Sequence, residues 1–441
     1  MNKVRILLIF FCMLFLVQGL HAQKYESDKM MDLLDLIRNE KFDLILPQAM
    51  RDNKIDMWIQ VMGTKNGEEG NLDPLRLDLG SNTGIFIFTD RGGDRVERAV
   101  LGNISDIVQD CGAYDIFGPE SDLTKFVSER DPNRIAVNFS ETIAACDGIS
   151  HTDYLKLVNM LGDTYAERIV SAENLITDFR TRRVMSEIVF YGELCKETLE
   201  VMEKAFDTVE PGVTTLKDLG RWLRNQNMAR GFDSMIQLAF LPAAFCQDAD
   251  GHESLTDDHV IQGGDLVHID FGTVHMNYRT DIKRLAYVLR EGETALPPEI
   301  QKTLDDGLKA REIFRKNIKV GLTGRETFEI LKRKLEEAGF YYLIRDQIPD
   351  PEKTGISIGF HPLGNSWPAD GVGPSISQRS SKAQLKIPAY HLFVLEYTIH
   401  MPMPEWGKGK HIYMALEDDV IVTERGVEFL YPPMKQIRLI H

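Results

Sequence analysis

Cysteine is scarce in this chain, with five residues among 441. Four of them lie beyond the first twenty residues, at Cys111, Cys146, Cys195 and Cys246. This scattered spacing lacks the paired cysteines of a zinc finger, and the low count excludes a disulfide-dense scaffold. Cys111 could pair with Cys146 in an exported chain, although a sequence cannot establish disulfide connectivity.

Positive charge is also in short supply, because 51 Lys and Arg face 67 Asp and Glu, which gives a net charge of −16 at pH 7. Nucleic-acid binding rests on the neutralisation of phosphates, so this balance excludes a nucleic-acid partner. The composition, with 43% hydrophobic and 27% charged residues, is that of a globular protein and excludes general disorder.

Long apolar runs are missing except near the start of the chain, at residues 6–17. This run follows Lys3 and Arg5 and precedes Leu20-His21-Ala22-Gln23. The pattern predicts a signal peptide over residues 1–22, cleaved near Ala22, and therefore a periplasmic or secreted protein. An uncleaved anchor is the alternative, although the run is short for a membrane span. We expect no stable membrane span after processing.

The length of the chain accommodates two or three domains. We predict a smaller α/β domain over residues 23–175 and an α+β domain, with helices backing a sheet, over residues 176–441. The first domain has predicted strands at 57–62, 84–89, 96–101 and 134–139, and helices at 30–37, 123–128 and 152–161. The second has predicted helices at 179–209, 216–228, 299–318 and 326–338, and the first of these is long enough to suggest a break or an inter-domain role.

A predicted β-hairpin at residues 264–281 carries two aspartates. If its turn centres between His275 and Met276, Asp270 lies directly opposite Asp281 on one face. Opposed like charges repel, and two carboxylates in an apolar setting need a cation or a shared proton. We therefore expect a bound cation at this hairpin.

A second predicted hairpin repeats this arrangement with two glutamates. Glu396 and Glu417 lie in apolar, strand-like runs where an unpaired carboxylate is costly. If the intervening turn centres between Trp406 and Gly407, the two glutamates lie opposite each other, although a bulge would break this register. Two such pairs in one domain indicate a metal centre between two hairpins.

These residues resemble the pita-bread metallopeptidases, which include Xaa-Pro aminopeptidases, prolidases and methionine aminopeptidases. The family's His-x-x-Gly turn is present at residues 361–364, and its last glutamate stands before an acidic residue, as Glu417 does. The resemblance covers roughly residues 176–441 and implies a creatinase-type, two-domain member. The metal ligands that it implies are Asp270, Asp281, His361, Glu396 and Glu417.

The resemblance implies two divalent ions that activate water for attack on a peptide bond. The oxygen-rich ligand set suits Mn²⁺, with Co²⁺ and Zn²⁺ as alternatives. The implied catalytic residues are His361, Glu396, which would carry a proton to the leaving amine, and His252, eighteen residues before Asp270, which would contact the substrate. The implied partner is a peptide with a free N-terminus, and a homodimer stays open.

Each residue also has a simpler structural interpretation. His361 could be a turn histidine, Glu417 the first of three exposed acids, and His252 a surface histidine. The chain also departs from the family, whose peptidases usually carry a second His where this chain has Pro368. Proline-directed members often carry His or Arg where this chain has Ser357 and Ala415, respectively. Other residues could do their work, namely Asn365, His391 or His400.

The favoured function is therefore removal of an N-terminal residue, with Xaa-Pro as the favoured specificity. One alternative is a dipeptidase or an aminopeptidase without a proline requirement. Another is a binding protein on the same fold that has lost turnover. A creatinase-like hydrolase of C–N bonds is the third alternative, but the resemblance implies that such enzymes work without the metal ligands that this chain retains.

Overall fold

A computed structural model describes most of the chain. The described residues are 26–63, 73–102, 104–232, 243–247, 253–254, 258–344, 349–365, 371–407 and 409–441. The predicted leader at 1–22, His252 and Pro368 lie outside these ranges. Within them, no helix is both long enough and apolar enough to cross a membrane.

The helices of the described residues fall in both predicted regions. They are α1 (Glu26–Glu40), α2 (Leu46–Asp52), α3 (Arg76–Leu79), α4 (Asp106–Asp110), α5 (Leu123–Arg130), α6 (His151–Ala166), α7 (Glu173–Thr181), α8 (Met185–Phe206), α9 (Leu216–Ala229), α10 (Pro298–Asn317) and α11 (Gly324–Glu337). The predicted long helix is interrupted between α7 and α8, which confirms the expected break.

Within the described ranges, the strands form one sheet in the N-terminal region and three in the C-terminal region. They are β1 (Met57–Val61), β2 (Ile85–Thr89), β3 (Glu97–Leu101), β4 (Ile116–Gly118), β5 (Ile135–Val137), β6 (Ile169–Ser171), β7 (Ala243–Gln247), β8 (Glu253–Ser254), β9 (Leu266–Phe271), β10 (Val274–His275), β11 (Tyr278–Arg279), β12 (Ile282–Val288), β13 (Tyr341–Tyr342), β14 (Gly355–Ile358), β15 (His361–Pro362), β16 (Gly364–Asn365), β17 (His391–Pro402), β18 (His411–Thr423), β19 (Gly426–Phe429) and β20 (Arg438–Ile440).

The N-terminal sheet has the strand order β4-β3-β2-β1-β5-β6 and mixes parallel with antiparallel pairs. Its central strands are buried on both faces, as the fully buried run of β1 shows. Trp58 and Phe88 pack into the core on one face, and Met57 and Ile87 pack into the core on the other. Helices cover both faces, and the predicted strands of this region are confirmed.

Two larger sheets form the C-terminal region, with strand orders β20-β12-β9-β7-β8 and β13-β14-β17-β18-β19. Helix α10 packs Phe314 against Tyr397 of the second sheet. Helices α8 and α9 contribute Val201 and Leu219 to the core that covers the first sheet. Helices backing a sheet are what the apolar periodicity predicted, so the α+β prediction is confirmed.

The two hairpins differ in how well their registers were predicted. In β17 and β18, Glu396 lies opposite Glu417, as expected. The prediction that Asp270 lies opposite Asp281 is wrong, because β9 and β12 place Lys283 opposite Asp270. The cause is the turn, which begins one residue later than assumed, at Met276 with a positive φ of 52°. Lys283 follows Asp281 by two positions and therefore lies on the same face of the strand. The partner of Asp270 is thus an ammonium group and not a second carboxylate.

The disulfide that the sequence left open between Cys111 and Cys146 is not present, since both residues are free, buried thiols. The Cys111 thiol donates to the carbonyl oxygen of Val108, and the Cys146 thiol donates to that of Glu173. Burial raises the pKa of Cys146 to about 12, so its thiol stays protonated at neutral pH.

Gly272 lies where the two strands of the first hairpin approach each other closely. A Cβ atom at this position would lie 2.0 Å from the carbonyl oxygen of Thr280, so Gly272→Ala must displace backbone. We expect the free energy of unfolding to fall by about 1–3 kcal/mol, as for other overpacked sites. Chemical denaturation measures the change.

Gly192→Ala is the matched control, because a Cβ there meets nothing closer than 3.8 Å and the residue lies inside α8. Alanine is the better helix former, so this variant should gain up to ~1 kcal/mol. Equal stability of the Gly272→Ala variant and the unsubstituted protein would contradict the hairpin geometry.

Candidate metal centre

The second hairpin supplies the buried half of the centre. Glu417 lies on β18 with its side chain 1% exposed, and Glu396 lies opposite it on β17 with its side chain 33% exposed. The alternative that Glu417 is an exposed surface acid is therefore wrong. Strand β15 places His361 opposite Val394, two residues before Glu396 and on the same face of β17.

Three ligand atoms converge beside Glu417. One atom each from Asp281, His361 and Glu417 lie within 4.8 Å of one another. The backbone N–H of Asp281 donates a hydrogen bond to Asp419 Oδ2 at 3.1 Å. The same oxygen accepts a hydrogen bond from the Tyr191 hydroxyl at 2.9 Å. One imidazole and two carboxylates from three separate segments form a ligand set that suits Mn²⁺, Zn²⁺ or Co²⁺.

The other side of the centre is occupied by an ammonium group that sequence analysis missed. Lys283 Nζ lies 3.1 Å from Asp270 Oδ2 and 2.8 Å from Glu396 Oε1, and it also donates to Glu417 Oε2. A signal was present in the sequence, because Lys283 follows Asp281 by two residues and so shares its strand face. The ammonium group of Lys283 therefore provides part of the positive charge that was predicted for this hairpin.

Burial and this ammonium group set the protonation of the cluster. Burial raises the pKa of Asp270 to about 6 against the lowering effect of Lys283, and burial also raises the pKa of Glu417 well above its usual value. Burial opposes ionisation of Asp281 too, but Arg279 and Lys283 outweigh it and lower the pKa. Burial lowers the pKa of Lys283, yet the surrounding carboxylates reverse this and raise it well above its usual value.

The acids after Glu417 have structural partners. Asp418 points to the opposite face, where its carboxylate lies 3.0 Å from Arg284 and 3.4 Å from Arg311. Asp419 shares the face of Glu417 and holds the backbone of Asp281. The three consecutive acids therefore have three different surroundings, and Glu417 is the one that meets both Lys283 and the ligand set.

Of the three residues proposed to replace the missing family side chains, two are placed elsewhere. Asn365 accepts a hydrogen bond from Arg183 at 2.9 Å. His391 is buried beside Phe393, and burial lowers its pKa to about 3. His400 lies four residues after Glu396 on the same face of β17, where its ring packs against Tyr413.

Comparison with known proteins decides the family. The profile of Metallopeptidase family M24 matches residues 191–424, which is more than half of the chain. The chain belongs to metallopeptidase family M24. The resemblance inferred from the two hairpins and the His361 turn is thereby confirmed.

Two curated relatives match more than half of this M24 chain. The Xaa-Pro dipeptidase of Pyrococcus furiosus is 25% identical over 244 residues, which cover 53% of this chain and 62% of the relative. The uncharacterized peptidase YqhT of Bacillus subtilis is 23% identical over 264 residues, which cover 59% of this chain and 65% of the relative. Both matches span less than two thirds of the relative.

Solved structures extend the similarity to the N-terminal region. The X-Pro aminopeptidase of Thermotoga maritima has a TM-score of 0.61 and 20% sequence identity, and the match covers 89% of this chain and all of that one. The Xaa-Pro dipeptidase of Bacillus anthracis has a TM-score of 0.58 and 17% identity over 92% of this chain and all of that one. These similarities establish a shared two-domain fold.

The residues of this M24 chain fit one divalent ion more readily than two. One ligand atom each of Asp281, His361 and Glu417 converge within 4.8 Å, although Glu417 also contacts Lys283 and Asp281 contacts Arg279. Asp270 and Glu396, the remaining ligands implied by the family resemblance, already contact the ammonium group of Lys283. A second ion would need the same carboxylate oxygens.

Replacement of His361 tests the ligand set. We expect His361→Ala to weaken Mn²⁺ or Zn²⁺ binding at least tenfold, about 1.4 kcal/mol, because the set loses its nitrogen donor. Isothermal titration calorimetry of the chelator-treated protein measures this change. His151→Ala, at an exposed position at the start of α6, is the control and should bind metal unchanged. Equal affinities in all three proteins would exclude His361 as a ligand.

Proposed function

We propose that this protein is a metal-dependent aminopeptidase that removes the N-terminal residue of a peptide, with Xaa-Pro bonds favoured. The observation that carries the proposal is the convergence of Asp281, His361 and Glu417 in an M24 chain. The names of the relatives support the choice of substrate, since they describe an Xaa-Pro dipeptidase and an X-Pro aminopeptidase.

The roles of the side chains follow from their placement. A divalent ion bound by the ligand set supplies polarisation of the scissile carbonyl and a lowered pKa of water. Mn²⁺ is the favoured ion, with Co²⁺ and Zn²⁺ as alternatives. Glu396 is partly exposed and lies at the edge of the cluster, where it can accept a proton from water and pass it to the leaving amine. The carboxylates of Asp270 and Glu396 are partly exposed, and their remaining oxygens would accept hydrogen bonds from a protonated N-terminus.

Small side chains lie beyond Glu396 on the same face of the sheet. The register places Ser357 and Ala415 on either side of Thr398, on the face that also carries Glu396. Proline-directed family members carry larger polar residues at the positions of Ser357 and Ala415. This difference keeps a dipeptidase or a general aminopeptidase as the alternative specificity. We propose that His400, four residues after Glu396 on the same face of β17, contacts the substrate.

A second candidate function is peptide binding without turnover. The observation that favours it is Lys283, because an ammonium group among the ligands competes with metal for their oxygens. A peptide could still be held by its N-terminus at the carboxylates that face the opening. Metal binding and hydrolysis must therefore be measured separately.

The activity test combines two peptide classes with one substitution. The purified protein with added Mn²⁺ should cleave peptides with proline in the second position faster than matched peptides without it, and chelator should abolish both activities. Asp281→Asn should lower kcat/KM at least a hundredfold, about 2.7 kcal/mol, because it removes an anionic ligand.

Asp305→Asn is the control, since this residue is exposed on α10, where Asp305 accepts a hydrogen bond from Gln301. Its activity should equal that of the unsubstituted protein. Metal binding without cleavage of either peptide class would reject the aminopeptidase and favour the binding protein. Faster cleavage of peptides without proline would reject the Xaa-Pro preference alone.

The proposal includes export, on the strength of the leader-like pattern in residues 1–22. Protein isolated from its native cells should begin at Gln23 and be found outside the cytoplasm. Mass spectrometry of the intact protein reads the N-terminus, and a protein that retains residues 1–22 would argue for the anchor. A homodimer is the assembly that we propose for testing by light scattering.

A further inference from the structure

The position of Lys283 has consequences for how many ions the centre can hold. Lys283 lies within the ladder of β12, directly opposite Asp270, and its side chain extends from the sheet into the cluster. Its ammonium group contacts Asp270, Glu396 and Glu417, which are three of the four clustered carboxylates. Such a contact set resembles a cation-binding site that is filled by the chain.

An ammonium group and a metal ion compete for one location here. A divalent ion binds carboxylate oxygens at about 2.0–2.2 Å, and an ammonium group donates to them at about 2.7–2.9 Å. Either cation must lie between the oxygens of Asp270, Glu396 and Glu417. Both cannot occupy that space, and two cations so close together repel strongly in a partly buried site.

Lys283 is poorly placed to leave the cluster. Its side chain is 8% exposed, and Arg284, the next residue, donates to the carbonyl oxygens of Lys283 and of Glu417. Withdrawal would leave a buried ammonium group without partners or force β12 to move, and an unpaired buried charge is costly. The geometry therefore favours an ammonium group that stays in place.

The remaining ligands still suit one ion. Asp281 and His361 make no contact with Lys283 among the described ion pairs, and Glu417 has a second oxygen for sharing. When ionised, these four carboxylates carry four negative charges, of which Lys283 and Arg279 balance two.

We propose that the ammonium group of Lys283 takes the place of one of the two ions expected for this centre, so that the protein binds a single divalent ion at Asp281, His361 and Glu417. This proposal rests on the metal centre of the proposed function but not on its turnover. Lys283 is thereby a fixed, built-in cation that also positions Glu396.

Metal stoichiometry tests the proposal directly. Chelator-treated protein is titrated with Mn²⁺ by calorimetry, and the bound metal is counted by mass spectrometry after dialysis. We expect one ion per chain in the unsubstituted protein and in Lys283→Arg, which keeps the positive charge. Lys283→Met should bind two ions per chain, and the first of them at least tenfold more tightly.

The exposed Lys196 of α8 provides the control, since Lys196→Met should leave one ion per chain. Two ions in the unsubstituted protein, or none, would overturn the proposal. One ion in Lys283→Met would overturn the role of the lysine. Because this variant could fold poorly, electron paramagnetic resonance of the unsubstituted protein with excess Mn²⁺ gives an independent reading. Isolated ions support the proposal, and a spin-coupled pair overturns it.

Failure of this proposal differs from failure of the proposed function. A protein that binds one Mn²⁺ and cleaves no peptide would keep the role of Lys283 and reject the aminopeptidase. A protein that binds two Mn²⁺ and cleaves peptides would keep the aminopeptidase and reject the role of Lys283. Activity assays and metal counts therefore answer separate questions.

Discussion

The crowding of carboxylates between two β-ribbons is the constraint on which the rest of the C-terminal region depends. Glu417 is almost completely buried, and Asp270, Asp281 and Glu396 lie close to it. Burial and the repulsion between neighbouring carboxylates oppose their ionisation. Such a cluster needs cations among its oxygens or protons on its carboxylates. Lys283 supplies one from within the chain, and the open ligand set around His361 can take another from solution.

The surrounding architecture fixes these groups with rigid elements. The ligands lie on strands or directly beside them, and helices α8 and α10 pack behind the sheets that carry them. Beneath the centre, Asp419 holds the backbone of Asp281 and is itself held by Tyr191 of α8. The helix layer thus orients the metal ligands through hydrogen bonds as well as through packing, which is how outer residues usually hold a metal site.

The same geometry shapes the substrate side. The face that carries Glu396 continues through Thr398 to His400, with small neighbours at Ser357 and Ala415. In the proposed function, the protonated end of a short peptide would meet the partly exposed carboxylates of Asp270 and Glu396. The side chains that follow Glu396 on this face would then set which residues are accepted.

The sequence alone determined the α+β class, the break after α7, the Glu396–Glu417 register and the family, because apolar periodicity and motif spacing are local properties of the chain. The tertiary structure decided the register of the first hairpin, since a turn displaced by one residue changes every partner along the ribbon. It also revealed that Lys283 fills part of the centre. Spacing alone shows which residues share a strand face, but the meeting of three carboxylates from different strands around one ammonium group depends on how the sheets pack.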